Sequence, residues 1–422
     1  MNRPPPKGRP PHHGPRRPAD SKGRRRPADR QKRPRVTARG LAIEVLVEVD
    51  RGARANVVLP EKLARTGLEA RDRAFATELA YGTTRMRRAC DWLVGRYLRS
   101  DSKVDPRVLA TMHVGAYQLC FLGTPAHAAI AATVDEVRGP ARSMVNAVLR
   151  RLADSLARGP VVWPDEATRL SYPDWMVELL ARDIGKDAAF AALEQMNEPA
   201  SATRRADGYI QDRASQMVAA HVSARPGELV ADLCAAPGGK ATALAGAGAF
   251  VAAVDLEPAR AAMVAENADR LGLAAAGPSD SPSDGERGAL GAVIGDAASP
   301  PLAPGRFDAV LVDAPCSGLG VLRRRPDSRW RVQADDIDRL AGLQRRLLSA
   351  ASDLVTPGGR LYYSVCTLSR AETAGVDRWL ARELAGWAPI PPPASPWKPA
   401  GRGHRRDVHR RSPPARAAGS GV

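Results

Sequence analysis

The chain has 422 residues, 44% of them hydrophobic, and a formal net charge of +17, which is length and apolar content enough for two or three domains with cores of their own. Residues 1–36 hold 13 Lys/Arg against 2 acids and residues 396–422 hold 7 against 1, so the stretch between them is neutral and the excess charge lies in the two ends. No run of about 18 apolar residues marks a membrane span, the N-terminal end lacks the apolar core of a secretory signal, and five scattered cysteines (Cys90, Cys120, Cys234, Cys316 and Cys366) form neither a disulfide framework nor a zinc pattern.

A cytoplasmic monomer without a metal is expected. Both ends, 1–36 and 391–422, are rich in Pro, Arg and Gly and have almost no apolar periodicity. Such segments bury too little surface to offset the entropy of ordering, so they read as disordered basic arms. Their charge suits a phosphate backbone, which makes RNA the expected partner.

From residue 37 the pattern turns helical. In "TARGLAIEVLVEVDRG", Ala42, Val45, Leu46 and Val49 share one helix face and Gly52 follows as a stop. "ARDRAFATELAYGTTRMRRACDWLVGRYL" and "ARSMVNAVLRRLADSLA" behave alike. In "DPRVLATMHVGAYQLCFLG", Leu109, Met112, Ala116 and Leu119 form a stripe and Pro106 suits the first turn. No strand-period segment interrupts them, which predicts an all-helical domain over 37–160. His113 and Cys120 read as core positions, and Arg85, Arg87, Arg88, Arg150 and Arg151 as candidates for phosphate contact. Residues 161–208 form a helical linker.

Over 209–390 short apolar runs alternate with helical stretches, the pattern of a parallel sheet flanked by helices. The predicted strands are "LVADLC" (229–234), "FVAAVDL" (250–256), "AVIGDA" (292–297), "FDAVLVDA" (307–314) and "GRLYYSVC" (359–366). Ligands of such folds sit at the carboxyl ends of strands, where Asp232, Asp255, Asp296, Asp313 and Cys366 fall. The turn "DLCAAPGGKATAL" is glycine-rich but has neither dinucleotide nor triphosphate spacing. Asp255 closes the next strand, where an acid can bind a ribose diol, and Asp296 in "GDA" falls where an adenine amine could be read.

These segments carry a resemblance. "RGLAIEVLVEV", "ELAYGTTRMR" and "SMVNAVLRRL" are similar to the NusB-like RNA-binding module. "DLCAAPGGKAT", "VDLEPAR", "GDA", "DAPCSGLGVLRRRPDSRW" and "YSVCTL", in this order, resemble the RsmB/Sun family of RNA cytosine-carbon-5 methyltransferases. The resemblance spans most of residues 37–380. It implies a multi-domain chain, an all-α NusB-like domain followed by an α/β Rossmann-like methyltransferase domain. S-adenosylmethionine would lie against Cys234, Ala235, Ala236, Pro237, Gly238, Gly239, Lys240, Asp255, Arg260, Asp296 and Asp313. Within the turn, Cys234 is expected to be structural, presenting backbone to the ligand, while Lys240 either touches the cofactor carboxylate or only starts a helix. The substrate implied is ribosomal RNA of the small subunit, with transfer RNA the other candidate.

Carbon 5 of cytosine is a poor nucleophile until another nucleophile adds at carbon 6, and a thiolate does this well. By resemblance Cys366 is that nucleophile, Asp313 steadies or protonates the ring nitrogen, and Cys316 serves in release. Arg323, Arg324, Arg325 and Arg329 form a basic cluster beside the thiols, expected to grip the target strand's phosphates.

The chain departs from the family in three places. Residues 186–207 stand where the family has a longer insert with a small mixed α/β subdomain. After "SVC" the chain reads "TLSRAETAG" where the family has acids and an asparagine. The last two strands of a seven-stranded sheet are not recognisable in the polar, proline-rich stretch from Trp387 onward. These departures leave a second expectation open, an RNA-binding assembly factor that keeps the fold without turnover. An adenine amino methyltransferase fits less well, because its [Asn/Asp]-Pro-Pro-aromatic loop is replaced by "DAPC".

Overall fold

The computed structural model describes Met1, residues 36–99, 103–199, 203–274, 288–384 and 386–390, and the backbone of 405–410. The expected N-terminal arm, apart from Met1 and Val36, lies outside the described residues, as does the expected C-terminal tail apart from 405–410.

Thr37 caps the first helix, Ala38–Asp50, by accepting the Gly40 amide proton. The Ala42, Val45, Leu46 and Val49 face is buried, and so are Leu41 and Ile43, so this helix is central to its bundle. It stops before Gly52, whose φ of +99° favours glycine. The long helical stretch that follows breaks at Met86 into Ala70–Arg85 and Arg87–Gly95. The Pro106–Cys120 helix begins where Asp105 accepts the amide protons of Arg107 and Val108. It packs with Ala141–Arg158 in one core that includes Met112, Ala116, Leu149 and Leu152. Each such leucine contributes about 1.5–3 kcal/mol by leaving water.

Three shorter helices, Glu166–Leu170, Asp174–Ile184 and Lys186–Gln195, follow. Their own core of Leu170, Tyr172, Met176, Leu180 and Leu193 also takes in Leu319, Leu322 and Leu368. The last three belong to the loops that carry Cys316 and Cys366. The linker helices are therefore the platform on which both cysteine loops rest.

The sheet consists of β1 (Leu229–Leu233), β2 (Phe250–Asp255), β3 (Ala289–Ile294), β4 (Phe307–Asp313), β5 (Val355–Ser364), β6 (Trp387–Ile390) and β7 (Arg405–Arg410). Among the described residues its order is β3-β2-β1-β4-β5-β7-β6. β1 to β5 run parallel, with Val310, Val312, Leu361 and Tyr363 buried between β4 and β5's flanking layers. The strand order reverses between β1 and β4, and the crevice at their carboxyl ends is where an open α/β sheet binds its ligand.

The end of the sheet corrects the sequence reading. β7 lies antiparallel between β5 and β6, so the last two strands are present, and 405–410 is not part of a structureless tail. Backbone hydrogen bonds to an existing edge hold such strands, so they need little of the apolar alternation by which strands are recognised. Among the described residues no helix is long and apolar enough to cross a membrane.

Candidate active site

The turn after β1 begins with Cys234 in the left-handed region, φ +66°, and passes a cis Ala236–Pro237 peptide to Gly238 at φ +98°. Gly238 precedes the helix Gly239–Gly246. The φ of Gly238 favours glycine, and a Cβ there would also stand a tight 3.2 Å from the Val264 backbone. Asp255, buried at the end of β2, accepts the Ala236 amide proton at 3.1 Å and pairs with Arg260 at 3.1 Å. That carboxylate therefore ties the turn to the second strand. Burial pushes the Cys234 thiol up to about 12, which disfavours its thiolate.

Two residues beside these acids carry no sequence signal. Leu256 follows Asp255 and is 64% exposed, and Ile294, paired with Asp255 in the β2–β3 register, is 59% exposed. Asp296 is exposed just beyond, accepting the Ala298 amide proton. Apolar side chains left bare between carboxylates suit the two faces and polar edge of a nucleoside, so the residues present fit S-adenosylmethionine.

Lys240 points at Asp313, with Nζ 2.5 Å from Oδ2. Burial works against its charge, but Asp313 and then Asp232 more than offset it, leaving the pKa of Lys240 raised. Asp232 is buried beneath them, and burial pushes it up to about 7 against the pull of Lys240. A lysine and three acids thus share the carboxyl ends of β1, β2 and β4.

The two cysteines meet. Cys316 Sγ lies 3.4 Å from Cys366 Sγ, because β4 and β5 are paired neighbours with Asp313 opposite Ser364 and each cysteine follows its strand end. The pair is electrostatically unequal. The hydrogen bond from Cys316 lowers the pKa of Cys366, with Arg325 and Lys240 adding to the effect against burial. The same hydrogen bond raises Cys316, and burial and Glu372 raise it further. Of the two, Cys366, exposed at the surface, is the sulfur whose surroundings favour the thiolate, and Cys316 the one whose surroundings hold its proton.

The arginine cluster does not act together. Arg325 is exposed, and its charge lowers the pKa of Cys366. Arg324 pairs with Asp212, and Arg323 donates to the Pro199 carbonyl at 2.9 Å. Arg329 is fully buried, 3.9 Å over the Tyr172 ring, and donates to the carbonyls of Arg85 and Ser171 and to Asn197. A phosphate cannot reach it, which corrects its reading as an RNA contact. The neighbouring Trp330 donates Nε1 to the Thr84 carbonyl at 2.8 Å. These contacts fasten the segment after Cys316 to the helical domain.

Arg85 and Arg88 have similar structural employment. Arg85 is buried, and Arg88 holds Tyr172 O, Thr168 and Asp174. Arg87 pairs with Asp50 at 3.0 Å, while Arg150 and Arg151 remain exposed. The stretch in place of the family's subdomain closes on the cofactor turn instead: Arg205 donates to the Gly239 carbonyl at 2.6 Å and stacks over Tyr209.

Comparison with known proteins accords with this geometry. The family described as 16S rRNA methyltransferase RsmB/F matches residues 219–387, and the NusB family matches residues 36–154. The ribosomal RNA small subunit methyltransferase B of Thermus thermophilus is 38% identical over 377 residues, covering 82% of this chain and 88% of that protein. Its namesake from Pseudomonas putida is 35% identical over 388 residues, covering 78% and 85%. The crystal structure of PH0851 shares the fold, with a TM-score of 0.68 at 20% identity over 89% of this chain and 99% of that one. The chain thus belongs to the RsmB/F family, a methyltransferase that uses S-adenosylmethionine on RNA and carries a NusB domain at its N-terminal side.

Proposed function

We propose that this protein methylates carbon 5 of a cytosine in small-subunit ribosomal RNA through a covalent bond to Cys366. The observation that carries the reading is the thiol pair 3.4 Å apart at two neighbouring strand ends, with the pKa of Cys366 lowered and that of Cys316 raised. A lone buried cysteine would be packing; two unequal thiols beside a lysine and a carboxylate form a reaction centre. The substrate class comes from the names of the relatives.

When bound, S-adenosylmethionine supplies an electrophilic methyl group. Asp255, Leu256, Ile294 and Asp296 would hold its nucleoside, and the backbone of 234–240 would lie against the rest. Cys366 attacks carbon 6, forming a C–S bond and moving the ring's π electrons toward carbon 5 and the ring nitrogen. A proton carried by the Asp313–Lys240 pair passes to that nitrogen as negative charge develops on it and returns when the C–S bond breaks. Once carbon 5 carries the methyl group, its proton leaves to a base, the C5–C6 double bond re-forms, and the C–S bond breaks with its electron pair returning to sulfur. Cys316 is the group within hydrogen-bond reach of that departing sulfur, which is the physical basis of its role in release.

Nucleoside mass spectrometry of small-subunit ribosomal RNA treated with the protein and S-adenosylmethionine tests the reading. The product expected is 5-methylcytidine. N4-methylcytidine or a methylated adenosine would overturn it.

A further inference from the structure

Glu372 has no step in the chemistry above, yet it is completely buried in the single turn of π-helix, Ala371–Gly375, that follows the Cys366 loop. A buried carboxylate is costly unless its lone pairs are met. Here four donors meet them. Oε1 accepts from the Ser317 amide at 2.9 Å and from Gln344 Nε2 at 3.0 Å. Oε2 accepts from Ser317 Oγ at 2.5 Å and from Thr367 Oγ1 at 3.2 Å. All four favour the ionised form, while burial, the larger effect, raises the pKa of Glu372.

The donors are placed tellingly. Ser317 follows Cys316 and Thr367 follows Cys366, and their hydroxyls are 2.7 Å apart. Gln344 Nε2 also holds the carbonyl of Pro315, the residue before Cys316. Tyr363, on β5, donates to both Gln344 and the Glu372 carbonyl. Both flanks of one cysteine and the near flank of the other therefore converge on a single carboxylate.

We propose that Glu372 is the positioning residue of the thiol pair: bound to Ser317 and Thr367, it fixes the separation of the Cys316 and Cys366 sulfurs, so that the second thiol is in place when the first must leave. Its effect on turnover rests on the functional reading above; its effect on geometry does not. Its charge also acts on Cys316, whose proton is held first by the hydrogen bond to Cys366, then by burial, and then by repulsion from the Cys366 and Glu372 charges.

The test uses the full chain and the variants Glu372→Ala, Glu372→Gln and Thr367→Val. The first readout needs no RNA. In glutathione buffer, one oxidised glutathione is consumed and two reduced glutathiones are released for each Cys316–Cys366 bridge formed, so the equilibrium measures how well the sulfurs are juxtaposed. Peptide mass spectrometry identifies the bridge. Glu372→Ala should lower the effective concentration of the pair by about tenfold or more, the scale of one lost hydrogen bond to a charged group. Glu372→Gln, which still accepts from the Ser317 amide, should lose less. The second readout is single-turnover release of methylated RNA from the covalent adduct, which should slow while S-adenosylmethionine affinity in calorimetry stays at the wild-type value. A structural collapse would lower both.

A wild-type disulfide equilibrium in folded Glu372→Ala overturns the proposal. Should that variant fail to fold, Thr367→Val, which removes one hydroxyl without changing bulk, decides in the same way. Wild-type protein that methylates no cytosine overturns the functional reading alone, because the glutathione equilibrium still judges Glu372.

Discussion

Lys240 Nζ stands 2.5 Å from Asp313 Oδ2, and the same ammonium lowers the pKa of Cys366 across the crevice. Removing the cation should therefore move the thiol upward. In Lys240→Met the pH at which iodoacetamide labels Cys366 at half its maximal rate should rise. Cys316→Ala should raise it further, since the hydrogen bond from Cys316 is the largest cause of the depression. Labelling profiles followed by peptide mass spectrometry check both. An unmoved midpoint in each would show that neither group stabilises the thiolate.

The order of bond making and breaking separates the two cysteines. Cys366→Ala removes the attacking sulfur, so neither product nor adduct should form. Cys316→Ala should still attack and transfer the methyl group, then stall as a protein–RNA adduct that survives denaturing electrophoresis. The double variant should show no adduct, because a bond never made cannot be trapped. Normal turnover by Cys316→Ala would remove that thiol from the release step.

Asp255 holds the turn through the Ala236 amide and is proposed to meet a ribose as well. Asp255→Ala should weaken S-adenosylmethionine binding by about 1–3 kcal/mol, the cost of a lost charge-assisted hydrogen bond. Isothermal calorimetry reads this directly, and unchanged affinity would mean that the cofactor is held elsewhere.

Arg325 and Arg329, four residues apart, should behave differently. Arg325→Ala should weaken RNA binding and reduce the slope of log affinity against log salt by about one. Arg329→Ala should leave that slope unchanged and destabilise the fold by about 2–4 kcal/mol, since it removes a buried cation–π contact and three hydrogen bonds. Filter binding across a salt series and denaturant unfolding measure the two effects. A shallower slope for Arg329→Ala would contradict its burial.

The legibility of this chain follows from where the information resides. β1, β2, β4 and β5 are apolar runs closed by acids, cysteines or glycines, and a run of that kind announces a buried parallel strand locally; β3, expected at 292–297, lies at Ala289–Ile294 with Leu290 alone buried. β7 could not be read that way, since its place depends on the free edge of β5. Arg329 looks like a member of a surface cluster in "RRRPDSRW"; its burial depends on Tyr172, far earlier in the chain. Glu372 was hidden for a related reason. Its importance lies in Ser317 and Thr367 arriving from two strands at once, and the altered residues around it drew attention to what the family has rather than to the acid that remains. The cysteines themselves were legible, because each ends a strand and carries a motif. Their 3.4 Å separation was not.

The anchoring of Arg329 and Trp330 also bears on how the molecule comes apart. Their partners, the carbonyls of Thr84, Arg85 and Ser171, are ends of helical segments outside the sheet domain. If the helical domain melted first, it would strand a guanidinium and an indole N–H in a half-opened interface. That intermediate is costly, so the N-terminal helices and the sheet should lose structure in one calorimetric transition. For the same reason the sheet domain is a poor candidate for expression by itself, because the segment after Cys316 is held partly by its neighbour.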